Sequence, residues 1–443
     1  MNLSRSATAQ AGLALGLVLL VGCGSSGSTA GSSAGGSAGG SAGGAAGPAA
    51  GGAETHVSLW SWRTDDKVAM GEIFGQFEKD NPGIKVDLNL IPDADYQNTL
   101  GVALRGGKGP DVAQLKAYGE LQPLVDAGYL TRLNDLVPEL GELSSDALEG
   151  AKAKKDGGYY GVPYSVVNMG VYYNTEVFEK NRVAIPKTYD EFVKACQTLK
   201  AAGVVPIAAG GANGTGWALE INTGVIGPSV YGPGFYKDMM SGSAKFTDPK
   251  WVQVLQTVKD LAPYYEDGFA GTDYTSAVQQ FVTGKAAMFF GGSYENGSFK
   301  AQNKDLKFSM FPFPPKAAGQ PAYTSSFSDG SYGVVSTTKQ QDAAVKLVRF
   351  IGSKEFAQLF ADKLGWAPAR SGITPSDPVL KVMTDMQKNS EPYITLVGFR
   401  WQQPTASSIL QTGIVDMIAG KKSPQDLAKE MDTGVSTWFK PTG

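Results

Sequence analysis

The sequence predicts an α/β protein of two domains with largely parallel sheets, and two observations predict it. From Thr55 onward, short segments with the two-residue alternation of strands are followed by segments with helical spacing, repeatedly. That order builds sheets covered by helices. The chain also has 443 residues, more than one hydrophobic core usually serves.

The elements read as follows. Val57-Ser58-Leu59-Trp60 is the first strand, and a helix over Val68 to Lys79 places Ile73, Phe74 and Phe77 inward. Asn81-Pro82-Gly83 stops that helix, and Ile84 to Leu90 alternates as a strand does. A helix from Asp95 to Arg105 leads through Gly106-Gly107-Lys108-Gly109 to a short strand, Pro110 to Gln114. Thr188-Tyr189-Asp190-Glu191 is a capping box, with Thr188 as N-cap and Glu191 reaching back. Phe192, Cys196 and Leu199 share one face of the helix it opens, which makes Cys196 a core thiol. Gly203 closes that helix before the strand Val204 to Ala208. Asp248-Pro249 starts another helix, with Pro249 at its first position and Trp251 in its apolar stripe. Ala286 to Phe290 and Tyr332 to Ser336 read as strands, and Ser423-Pro424-Gln425-Asp426 opens the last helix.

The N-terminus reads differently. Arg5 precedes an apolar run from Ala11 to Val21, too short to span a bilayer and suited to a signal-peptide core. It ends in Leu20-Val21-Gly22-Cys23, which resembles the lipobox of bacterial lipoproteins. That resemblance implies cleavage before Cys23 and acylation of its sulfur. From Gly24 to Ala53 the chain is Gly, Ser and Ala apart from Thr29 and Pro48. Such a segment buries almost nothing and forms a flexible tether of roughly 30 Å span. Residues 1–22 are thus read as signal peptide and 23–54 as lipidated cysteine and tether. An anchor at the outer face of a membrane is implied, in a bacterium without a conventional periplasm.

Several functions are disfavoured. The net charge is −3 without a run of one sign, so nucleic acid has no footprint here. The only cysteines, Cys23 and Cys196, form no disulfide framework and no metal cluster, and no cofactor is indicated. The one histidine, His56, sits at the edge of the tether, where poor order would disqualify it from a triad. A glycoside hydrolase needs two carboxylates facing each other across a bond. Asp65-Asp66 and Glu266-Asp267 are only neighbours in sequence, and the latter pair reads as surface charge.

In open α/β sheets, ligands bind beyond the carboxyl ends of strands. Those ends carry Trp60 to Asp66, Gln114 to Tyr118, and Ser293-Tyr294-Glu295-Asn296. Ser326 to Gly330 precedes a strand, and Gly365 to Pro368 and Phe399 to Gln402 lie in loop-like contexts. Aromatic residues are paired there with carboxylates, amides or arginine. That combination suits a sugar, whose C–H face stacks on a flat ring and whose hydroxyls need fixed donors and acceptors.

Gly158-Tyr159-Tyr160-Gly161-Val162-Pro163-Tyr164, followed by Gly170 to Phe178, strongly resembles the signature segment of family 1 extracellular solute-binding proteins. This is the sugar-binding group that includes maltose-binding protein. Gly109-Pro110-Asp111, Gly128-Tyr129-Leu130, Pro186 to Phe192, Phe281 to Met288 and Ala343 to Lys346 agree in order. The resemblance implies a two-lobe, type II periplasmic-binding-protein-like fold with ligand in the cleft and closure by hinge bending. Residues 55–163 plus 324–366 would form the N-lobe, and 164–323 plus 367–443 the C-lobe. Crossings would fall near Tyr164 to Met169, Pro312 to Tyr323 and Trp366 to Gly372.

Carried over by position, the resemblance implies a site drawing on Trp62, Arg63, Asp65, Asp66, Gln114, Tyr118, Asn168, Trp217, Glu220, Tyr294, Glu295, Asp329 and Trp366. Within it, Trp217 and Tyr294 stack on the ligand, and Asp65 and Asp329 read hydroxyls. Arg400 and Trp401 are added on chemistry alone. The implied function is capture of a sugar, an oligosaccharide, by a monomer that delivers it to the permease subunits of an ABC transporter. The chain lacks a Gly-x-x-x-x-Gly-Lys motif, so ATP is hydrolysed by a partner. A sugar-sensing co-receptor and a binder of polyamines, polyol phosphates or iron remain alternatives.

Overall fold

The computed structural model describes residues 54–211 and 216–441. The segments read as signal peptide (1–22) and, apart from Glu54, as lipidated Cys23 and tether (23–54) lie outside the described residues. Nine strands are present among those described: β1 (Thr55–Ser61), β2 (Ile84–Leu90), β3 (Val112–Lys116), β4 (Val162–Asn174), β5 (Val205–Ala208), β6 (Ala286–Gly292), β7 (Phe308–Phe311), β8 (Thr324–Val334) and β9 (Ser390–Pro392). They run in the order β2-β1-β3-β8-β4-β6-β5, with β7 on β4 and β9 on β8.

Strand β4 joins the two halves. Its sequence is almost wholly buried. Up to Asn168 it pairs with β8, and from Met169 onward it pairs with β6 and β7. One strand therefore serves two sheets, and the change of partner at Asn168–Met169 is the crossing. β8 runs antiparallel beside it, and Ala367 and Ala369 add backbone hydrogen bonds to Val166 and Tyr164 at 3.3 and 3.0 Å. The second passage is therefore β8 itself and not residues 312–323. The sheet is mixed, unlike the largely parallel one that the sequence predicts. β1, β2 and β3 are parallel, as are β5 with β6 and β8 with β9, but β4 and β8 run antiparallel to each other and to β3, β6 and β7. A chain that leaves a lobe and returns beside its own path must run antiparallel there.

Two large cores flank the crossing. One gathers Leu59, Phe77, Leu347 and Phe360, and the other Phe192, Cys196, Trp251 and Leu410. Burying a large side chain contributes about 1.5–3 kcal/mol, so these cores rather than helix propensity hold the lobes. Local signals place the helices. Thr188 Oγ1 accepts from Glu191 N at 3.2 Å, and Glu191 returns to the amide of Lys187 at 2.7 Å. Asp248 and Ser423 cap the helices Pro249–Leu261 and Pro424–Val435 in the same manner.

Three local readings change. His56 belongs to β1, its ring nitrogen 3.1 Å from Asp87. Glu266 is buried, accepts from Ala209 N at 2.8 Å, and burial pushes its carboxyl up. Ser326 to Gly330 is strand, not a loop before one.

Candidate functional site

The carboxyl end of β1 supplies the first wall. There Trp62 packs its ring edge-on to Tyr96 at 5.4 Å between centroids, with the Lys116 ammonium 4.2 Å from its ring. Gln114 lies beneath this turn, fully buried. It accepts from Ser61 Oγ at 2.6 Å and Trp62 N at 3.2 Å, and donates to Tyr164 Oη at 2.8 Å. Its polar atoms are engaged in aiming the loop.

Arg63 stands at the centre. Its Nε donates to Asp66 at 2.7 Å, and its guanidinium lies 4.3 Å from the centre of the Trp366 ring. Burial alone would lower its pKa, but Asp66 and Asp329 more than offset that and hold it firmly charged. Asp329, on β8, receives the Tyr164 hydroxyl. Trp366 is buried and meets Tyr294 edge-on at 6.3 Å.

The opposite wall comes from the second lobe. Trp217 begins the helix Trp217–Tyr231. Tyr294 immediately precedes the helix Glu295–Gln302. Glu295, 6% exposed, accepts from the Tyr274 hydroxyl. Its carboxyl is pushed up by burial, an effect that Tyr274 and Arg63 only partly counter.

These walls enclose two adjoining cavities. One, of about 970 Å³, is lined by Arg63, Asp65, Asp66, Trp217, Tyr294, Glu295 and Trp366 among others. The other, of about 580 Å³, is lined by Trp62, Arg63, Asp65, Tyr118, Trp217, Tyr294, Asp329 and Arg400 among others. Arg63, Asp65, Trp217 and Tyr294 line both, so the cavities form one cleft between the lobes. Both volumes fall in the range of small-molecule sites, about 300–1,000 Å³.

Four of the residues singled out from sequence do not line it. Gln114 is the support just described. Asn168 is buried in the crossing, its Nδ2 donating to Met383 O at 3.2 Å. Glu220 is buried in the second lobe, where Thr395, Ser407 and Gln411 donate to it at 2.6–2.7 Å. Trp401 packs beside Tyr118 at 6.1 Å and donates its indole N–H to Val397 O at 2.9 Å. Conversely, Tyr274, Phe327, Ser328 and Gln411 line the cleft without having been singled out. Tyr274 follows the N-cap Asp273, a signal that marks a helix start but not a site. Gln411 lies within a helix and carries no local signal at all.

Residues 60–358 match the family model described as bacterial extracellular solute-binding protein. The chain is similar to the multiple sugar-binding protein of Streptococcus mutans, 24% identical over 397 residues, 87% of this chain and 90% of that one. It is 27% identical over 370 residues to the diacetylchitobiose binding protein DasA of Streptomyces coelicolor, covering 79% and 81% of the two chains. Among solved structures, a chitin oligosaccharide binding protein matches with a TM-score of 0.73 at 25% identity, covering 87% of this chain and 99% of that one. With two lobes sharing crossing strands, a cleft of both lobes' residues between them, and a family match over most of the folded chain, this protein belongs to the bacterial extracellular solute-binding proteins.

Proposed function

We propose that the protein captures a sugar, an oligosaccharide, at the outer face of the membrane and hands it to the permease subunits of an ABC importer. It acts as a monomer, held by a lipid on Cys23, and binds its ligand without transforming it. The observation that carries the reading is the composition of the cleft. Aromatic rings of Trp217 and Tyr294 stand on one lobe, with Asp65 and Asp329 across from them on the first lobe and the crossing strand. Rings stack on the C–H face of a pyranose, and carboxylates accept from its hydroxyls. Relatives named for binding sugars, among them the Streptococcus mutans and Streptomyces coelicolor proteins, support the same reading. Ligand that bridges both lobes favours the closed form, and the closed form is what a permease recognises.

A thermal-shift screen against mono-, di- and oligosaccharides tests this. A sugar at a thousandfold excess over its dissociation constant adds about 4 kcal/mol, a shift of several degrees. A shift with polyamines or polyol phosphates and none with any sugar would keep the fold and replace the ligand.

A further inference from the structure

Apart from the crossing strands and the contact of Tyr294, Asn296 and Gly297 with residues 364–366, the lobes touch at a further place. We propose that residues 117–120 of the first lobe and 397–401 of the second form a latch that holds the lobes together without ligand and fixes Arg400 at the cleft wall. The contact stands independently of the sugar reading; only its effect on affinity rests on that reading.

Several observations converge on this contact. Arg400 Nη2 pairs with Glu120 Oε1 at 2.7 Å across the lobes. The Trp401 ring carries the Lys154 ammonium 3.8 Å from its centre and the Tyr118 ring at its edge. Ala117, Tyr118 and Val397 form a small buried cluster of their own, separate from both lobe cores, with Phe327 and Trp401 packed against it. Tyr118 holds a φ of 59°, a left-handed conformation that a bulky residue keeps only where its surroundings impose it. Its hydroxyl accepts from the Ser328 amide at 2.8 Å, on the crossing strand. At Gly119 the backbones themselves meet: a Cβ there would lie 2.3 Å from Arg400 O and 2.5 Å from Trp401 Cα.

Tyr118 and Arg400 also line the cleft, so the latch borders the ligand. Glu120 is a positioning residue, acting on ligand through the guanidinium it holds. A side chain on Gly119 would wedge the segments apart without altering any charge. An empty protein with a working latch populates the closed state, and losing the latch reduces the fraction competent to hold ligand.

Small-angle scattering of the unliganded protein decides the matter. The parent protein is compact, and sugar compacts it little further. Gly119→Ala and Trp401→Ala expand the unliganded protein, sugar restores compactness, and apparent affinity falls about fivefold. Glu120→Arg alone opens it too, and combining it with Arg400→Glu restores the compact empty form. The proposal is overturned if the empty parent scatters like Gly119→Ala, or if the variants lose thermal stability with unchanged scattering. Should no sugar bind any form, the sugar reading fails while the scattering still judges the latch.

Discussion

Among the cleft aromatics, Trp62 and Trp366 already have a cation against their rings, Lys116 and Arg63 respectively. Trp217 and Tyr294 have no cation over theirs among the described residues, which leaves these two rings for a pyranose. Trp217→Ala therefore weakens sugar binding by about 1 kcal/mol, or about fivefold, with the melting temperature of the empty protein unchanged. Isothermal titration and a melt of the same sample check it; a drop of several degrees in the empty variant would make Trp217 a core residue instead. Glu295 makes a different prediction. Its carboxyl lies above its ordinary value of 4.5 because of burial. An acid with a raised folded-state pKa binds more protons folded than unfolded, so stability is lost as pH climbs from 4.5 through the folded value. Glu295→Gln keeps an acceptor for Tyr274 and removes that loss. Its advantage in melting temperature over the parent grows from pH 4 to pH 7, and a flat difference across that range would refute the account. The sequence placed Trp62, Arg63 and Tyr294 at strand ends and Asp329 just before a strand, where position made them candidates. Gln114 was misplaced because being near a strand end does not say whether a side chain points out of the sheet or under the loop, and Asn168, carried over by the resemblance at the first crossing, because a crossing strand also buries side chains.

The helix Trp217–Tyr231 shows the same limit for an element. Trp217 opens it at the cleft, and Glu220 three residues later is turned into the lobe, where it joins the segment at Thr395 to the helix Ala406–Ile418. A carboxylate near an aromatic in a Gly-rich stretch reads as ligand-binding, whereas only the fold shows its three donors. Glu220→Ala leaves those donors unpaired in the core and costs about 3 kcal/mol or more. Denaturant melts of the empty protein measure that cost; a stable variant with lost sugar binding would return Glu220 to the cleft. The first part of strand β8 escaped the sequence for a packing reason. Thr324 to Gly330 is rich in Ser and carries a single large apolar residue, Phe327, too few to mark a strand. Its neighbours allow nothing larger at the crossing: a Cβ on Gly330 would lie 2.6 Å from Leu115 O and 3.0 Å from the Trp62 ring. The capped helices, by contrast, were legible because Thr188, Asp248 and Ser423 act on backbone within their own turn.

At the scale of the whole molecule, two lobes were legible from the length of the chain and from the signature around Tyr159 to Phe178. The mixed sheet was not, because strand direction depends on where the chain returns after a lobe is complete. Nor could the sequence show how the charges of the cleft pair off between distant segments. Four cations line it, and each has a carboxylate of its own: Arg63 with Asp66, Lys116 with Asp93, Lys363 with Glu72, and Arg400 with Glu120. Asp65, Glu295 and Asp329 also line the cleft and are in no ion pair among the described residues. Among the described residues the cleft thus carries more carboxylates than cations, and each of its cations already faces a carboxylate. Hydroxyls can satisfy those oxygens, but a ligand carboxylate or phosphate would be enclosed beside like charge. Neutral oligosaccharides therefore bind at least about tenfold more tightly than their uronate counterparts, a difference of about 1.4 kcal/mol. Raising the ionic strength narrows that gap by screening the repulsion. Titration of one neutral and one acidic oligosaccharide of equal length, at low and high salt, tests the charge balance directly. Equal affinity for the two, or tighter binding of the acid, would mean that one of the four ion pairs opens to receive it.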